Sequence, residues 1–150
     1  MCVPDRMHHA DLGLFQYQLR FTVELLGSSS IKILEERLSQ IPRHPNLKIF
    51  KNGLERLTRL TAAEYRDLMK VMLFTLDNLL LDEKLNKDLC ELFALWLDMY
   101  IWSCQCEYTE SDLDEFEKAI IRWGDLFIKL MSKFSPSNLI CLSYIAGGFI

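Results

Sequence analysis

No proline occurs between Pro45 and Pro136, and Gly53 and Gly124 are the only glycines in that stretch. Proline and glycine are the strongest punctuators of local structure, so so long an uninterrupted run favours helices over many short strands. The spacing of apolar residues agrees. Leu68, Val71, Met72, Thr75, Leu76 and Leu79 recur at helical intervals behind Thr61, whose partner Glu64 stands three residues on. That is the spacing of a capping box, in which side chain and backbone satisfy each other's orphan N–H groups. A further helix, about 84–105, aligns Leu85, Leu89, Leu92, Phe93, Trp96, Tyr100 and Ile101. Thr109 and Asp112 repeat the cap, and Phe116, Ile120, Trp123, Phe127 and Leu130 continue toward Phe134.

Upstream, Leu12, Phe15, Leu19, Val23 and Leu26 predict a helix that Gly27 ends. Ser30 is placed to cap a shorter one through Ile41, with Ile31, Leu34, Leu38 and Ile41 inward and Lys32, Glu35, Glu36 and Arg37 outward. Pro42 and Pro45 forbid a helix in the connector to Gly53, where "LKIF" can run extended. The expected fold is therefore all-α: a bundle of about five amphipathic helices with one Pro-containing loop. Its expected organisation is an N-terminal edge at 1–11, a helical bundle at 12–134 and an apolar tail at 135–150.

The formal net charge of −4 and pI near 5.4 are unlike a free-standing nucleic-acid binder, which is usually basic. The charge is unevenly spread. Arg43, Lys48, Lys51, Arg56 and Arg59 fall between Pro42 and Arg59 against the single acid Glu55. Eleven acids but only Lys84 and Lys87 lie between Asp82 and Glu117. The basic stretch, with Phe50 interleaved, suits either a nucleic-acid backbone or a solvated rim paired with the acidic helices. Five cysteines without recurrent spacing point to reduced thiols in a reducing compartment, and Cys104-Gln105-Cys106 alone is no zinc knuckle. The start has no signal-peptide pattern, and 68–81 is too short and too polar to span a bilayer. The expected chain is intracellular, nuclear or cytoplasmic, with no membrane partner.

Near the N-terminus, "DRMHHAD" gathers Asp5, His8, His9 and Asp11. Adjacent histidines in an extended segment point apart and seldom share an ion. Asp11, placed just before the first helix, suits a cap at the positive dipole end. No Ser-His-Asp order, Gly-rich phosphate loop or HExxH pattern occurs. An independent metal hydrolase has too thin a ligand set to stand on these residues.

Three stretches, "PDRMHHADLGLFQYQLRFTVELL", "IPRHPNLKIFKNGLERLTRLTAAEYRDLMKVMLFTLDNLL" and "YTESDLDEFEKAIIRWGDLFIKLMSKFSPSNL", occur in this order. Together they resemble the central-to-late part of fungal transposases of the Kyakuja–Dileera–Zisupton and Plavaka type. The resemblance reaches to about Leu139, and its most specific part is the LKxFKxG turn followed by EYRxLMKV. It implies kinship with cut-and-paste enzymes whose RNase H-like core holds three acids over two divalent metals, usually Mg²⁺. Asp5-Arg6-Met7-His8 matches a D-x-[LM]-H segment that carries one of those acids. On this resemblance Asp5 is the catalytic, metal-binding acid and His8 a neighbour without a fixed role. The helices that follow resemble the all-α insertion of such a transposase. In that setting the basic segment with Arg43, Lys48, Lys51, Arg56 and Arg59 is the one placed to contact DNA, although the resemblance does not single out those cations.

The first acid and the third acid of the set have no counterpart here, and "ICLSYIAGGFI" stands where the family pattern continues otherwise. The expectation is a truncated transposase-like protein, inactive alone and holding no Mg²⁺ stably. Its implied partners are DNA or an intact transposase, with self-association through the apolar C-terminal tail. The alternative, from another class, is a helical protein-interaction module with no nucleic-acid role.

Overall fold

The computed structural model describes residues 7–42, 44–45, 47 and 60–134, with side chains from Ala10 onward. A π-helical segment, Met7–Leu14, leads into α1 (Phe15–Gln40), followed by α2 (Ala62–Leu76), α3 (Glu83–Ser103) and α4 (Glu110–Phe134). The described residues form no strand; an isolated bridge joins His44 and Leu47 in the Pro-containing loop. The all-α expectation holds. The count differs, because the two helices expected at 12–26 and 30–41 join into one element bent at Gly27.

Gly27 has φ 67° and ψ 170°, a backbone state essentially confined to glycine. The bend therefore costs little at this position. Helix resumes directly after it, because Ser28 and Ser29 are exposed and Leu34 and Leu38 give the second half a fully buried edge.

The chain divides into two compact units, Met1–Cys90 and Glu91–Ile150. In the first, α1 packs on the π-helical segment and on α2, and α2 reaches both. The buried face of α1 is not the purely apolar one expected from Leu12 and Val23. Continuing from Asp11 and Leu14 of the π-helical segment, it follows Phe15, Gln18, Leu19, Thr22 and Leu26, so three polar residues share the ridge. Thr22 is accommodated by its own helix, its hydroxyl donating to Gln18 O at 2.8 Å. On α2 the expected stripe is buried throughout: Leu68, Val71, Met72, Thr75, Leu76 and Leu79.

Thr61 opens α2 as its sequence predicts. Its hydroxyl accepts from Glu64 N at 3.3 Å while the Glu64 carboxylate accepts from Thr61 N at 2.6 Å. The far end of α2 is closed from a distance. The Arg37 guanidinium donates to Thr75 O at 2.9 Å and also to the carbonyls of Asp77 and Asn78, orphan groups of a helix C-terminus. Asn78 takes φ 49° in the turn. Asn86, on α3 but buried, then accepts from Leu79 N and Leu80 N at 3.0 and 2.9 Å.

The second unit contains most of α3 and all of α4. Trp96 and Trp123 meet edge to face at 5.3 Å, and Trp123 lies 5.3 Å from Phe127. Of the residues expected on the inner face of α3, Ile101 is 65% exposed whereas Met99 is buried. Ile101 is five residues past Trp96, more than a quarter turn off that ridge. Thr109 and Asp112 form the second cap, Thr109 N donating to Asp112 Oδ2 at 2.8 Å and Asp112 N to Thr109 Oγ1 at 3.2 Å. Just before it, Tyr108 stacks on Phe116 and its hydroxyl donates to Trp102 O, holding the connector closed.

Candidate functional site

The polar residues that the fold draws together lie where the π-helical segment meets α2. Asp11 is fully buried, and its Oδ2 accepts a hydrogen bond from Arg66 Nη1 at 2.7 Å. Its Oδ1 is also buried and has no hydrogen-bond partner among the described residues. Asp11 is thus no helix cap. It sits inside the helical segment on the core-facing ridge, and Arg66 rather than a helix N-terminus receives its charge. A buried carboxylate is tolerable only with such a partner. The Arg66 side chain is 38% exposed, so the guanidinium reaches from solvent inward.

A second polar network centres on Gln16. With its amide turned to satisfy its neighbours, Gln16 donates to Leu12 O at 2.9 Å. Its carbonyl oxygen accepts from Tyr65 OH at 3.0 Å and from Arg20 Nη2 at 3.3 Å. Burial pushes the Tyr65 phenol up from its ordinary range, against the opposing influence of Arg20 and the Gln16 hydrogen bond. Tyr65 therefore stays a neutral donor, and its ring meets Phe15 edge to face at 6.2 Å.

The residues expected to carry chemistry are not brought into this cluster. Asp5 lies outside the described residues, as do Arg43, Lys48, Lys51, Arg56 and Arg59. His8 is within the π-helical segment, and its side chain is outside the described set. Among the described residues no group of three or more His, Cys, Asp and Glu side chains could hold a metal ion. Cys90 and Cys106 are free thiols, and Cys104 is exposed. Cys90 is half-buried beside a shallow cleft of Leu73, Phe74 and Asp77, and burial, then the Asp77 charge, pushes its thiol up.

Sequence reasoning missed Arg66 and Arg37, since each finds its partner tens of residues away. The one available signal was that Asp11 falls in register with Phe15, Gln18 and Leu19.

No protein-family profile, curated protein or solved structure matches this chain. No described helix is long and apolar enough to cross a membrane.

Proposed function

We propose that this chain is a helical domain of the transposase type it resembles, related to DNA cut-and-paste enzymes but without phosphoryl-transfer activity of its own. Support comes from the order of its parts. A helical segment begins within the Asp5-Arg6-Met7-His8 motif, and helix then dominates the described residues, as in an insertion that follows a metal-binding acid. The EYRDLMKV stretch, the most specific part of the resemblance, lies in α2 behind its capping box.

In this reading Asp5 is one corner of an acidic set that needs further acids before two Mg²⁺ ions can be held. Arg43, Lys48, Lys51, Arg56 and Arg59 follow a DNA backbone, and Asp11–Arg66 fixes the start of the helical run relative to α2. Its location as nuclear or cytoplasmic belongs to the same proposal.

Anisotropy of a labelled duplex across a salt series tests it. Five phosphate contacts give a log–log slope of about −4.5. Lys48→Glu with Lys51→Glu should make that slope shallower by about two. A chain that does not bind at low salt, or whose binding ignores the double substitution, refutes the DNA role. Nicking of supercoiled DNA by the isolated chain with Mg²⁺ or Mn²⁺, lost in Asp5→Asn, would refute the assignment as inactive.

A second reading, a helical protein-interaction module, is favoured by one observation. Leu113, Ile121 and Ile128 of α4 are exposed apolar side chains.

A further inference from the structure

The apolar surface of α4 is wider than its core requires. Ala119, Trp123, Phe127, Leu130 and Met131 are buried along one ridge. Leu113, Ile121, Ile128 and Phe134 are nevertheless 46%, 52%, 42% and 38% exposed. At helical spacing Leu113, Gly124, Ile128 and Ile121 fall within about a quarter turn of one another. This flank adjoins the buried ridge rather than being scattered around the helix.

Gly124 makes the flank more specific. A Cβ at this position would meet nothing within 4 Å, so neither packing nor backbone geometry of the chain itself calls for glycine there. Glycine in a helix interior is destabilising. Between Ile121 and Ile128 it leaves a notch that a large side chain from outside can fill.

The charges of α4 identify what fits. Glu110, Asp112, Asp114, Glu115 and Glu117 occupy its beginning, and Lys118, Arg122, Lys129 and Lys133 its remainder, with Asp125 the one late acid. A helix polarised in this way repels a parallel copy of itself and attracts an antiparallel one. A two-fold axis between Ile121 and Gly124 sets Ile121 of each copy into the Gly124 notch of the other. Along one edge of that seam the same axis sets Lys118 of each copy beside Asp125 of the other. Leu113 then meets Phe134, and Ile128 lies on the methylene stem of Glu117. Each pairing occurs twice, as an isologous interface demands.

We infer that the exposed flank of α4 is a docking surface for α4 of a second copy of this chain, antiparallel and centred on Ile121 and Gly124. The inference stands apart from the DNA role, since none of these residues belongs to the basic segment.

Sedimentation of the full chain from low micromolar to several hundred micromolar tests it, with circular dichroism confirming that each variant is folded. A reversible monomer–dimer equilibrium, weakened by salt, is expected. Lys118→Asp and Asp125→Lys should each weaken it about tenfold by setting like charges beside each other, and the double exchange should restore it. Gly124→Leu should raise the melting temperature of the monomer yet weaken the dimer. A chain that stays monomeric throughout overturns the inference. So does a dimer indifferent to the single exchanges, which would lie on another surface such as 135–150. Loss on single exchange without rescue by the double overturns the antiparallel register.

Discussion

Asp11 and Arg66, fifty-five positions apart, join through one 2.7 Å contact in which the carboxylate is fully buried and the guanidinium only partly so. The pair ties the entry of the helical run to α2. Removing only the cation would leave a buried charge without its partner among the described residues. Arg66→Met should therefore cost about 3 kcal/mol in urea unfolding. Asp11→Leu combined with Arg66→Met should recover most of that loss, since an apolar replacement of a buried pair is often neutral. If the double variant is as unstable as Arg66→Met, the pair is not the source of the loss.

Capping at Thr61 uses the hydroxyl and the Glu64 carboxylate reciprocally, and Thr61→Ala should cost about 1 kcal/mol of stability. The corresponding site at Thr109 makes a pH-dependent contribution. Hydrogen bonds from the Thr109 backbone and then its hydroxyl hold the Asp112 carboxyl below the usual 3.8. The unfolded chain thus takes up this proton first as pH falls. The contribution is fully present above the unfolded value and is lost as pH drops through the lower folded one. Thr109→Val keeps the backbone donor and removes only the hydroxyl, so it should raise the Asp112 titration midpoint part of the way in an NMR series and lessen this component of acid sensitivity.

These caps could be read from the sequence because both partners lie within one turn. The stripe of α2 was legible for the same reason: Leu68 through Leu79 repeat one local spacing. Residues whose positions depend on distant chain were not. Arg37 looks like an outward cation on an amphipathic helix, yet it closes the end of α2. Asp11 looks like a cap because it precedes apolar residues, and only α2 supplies the Arg66 that lets it be buried. Ile101 was assigned inward by its chemistry although its angular position lies off the Trp96 ridge.

Cys90 should react slowly. Its raised thiol pKa leaves less thiolate at neutral pH, and its burial restricts access. Under limiting iodoacetamide at pH 7.5, mass spectrometry of peptides should find the exposed Cys104 and Cys106 modified before Cys90. Asp77→Asn removes the nearby negative charge and should speed modification of Cys90 without altering the other two.

At the junction of α2 and α3, one carbonyl oxygen carries two backbone donors. Asn86→Leu would leave Leu80 N without this acceptor and Leu79 N with only Leu76 O, at 3.2 Å, at a cost of about 1–2 kcal/mol. Asn86→Asp keeps an acceptor at that place and should be milder. Arg37→Ala frees the carbonyls of Thr75, Asp77 and Asn78 at the same corner but leaves them within reach of water. Its cost should be smaller, about 1 kcal/mol, and hydrogen exchange should quicken in the last turn of α2.

Gly27 and Gly124 should respond oppositely to alanine, although a Cβ meets nothing within 4 Å at either. At Gly27 the obstacle is the backbone: φ 67° with ψ 170° is a state that an L side chain rarely adopts. Gly27→Ala should cost about 1–3 kcal/mol and straighten or displace the bend in α1. At Gly124 the backbone is ordinary helix, so Gly124→Ala removes conformational freedom from the unfolded chain and should stabilise by about 1 kcal/mol. Thermal melts of the two variants at low micromolar concentration separate the cases. Equal destabilisation by both would mean that the Gly124 site is more crowded than its surroundings indicate.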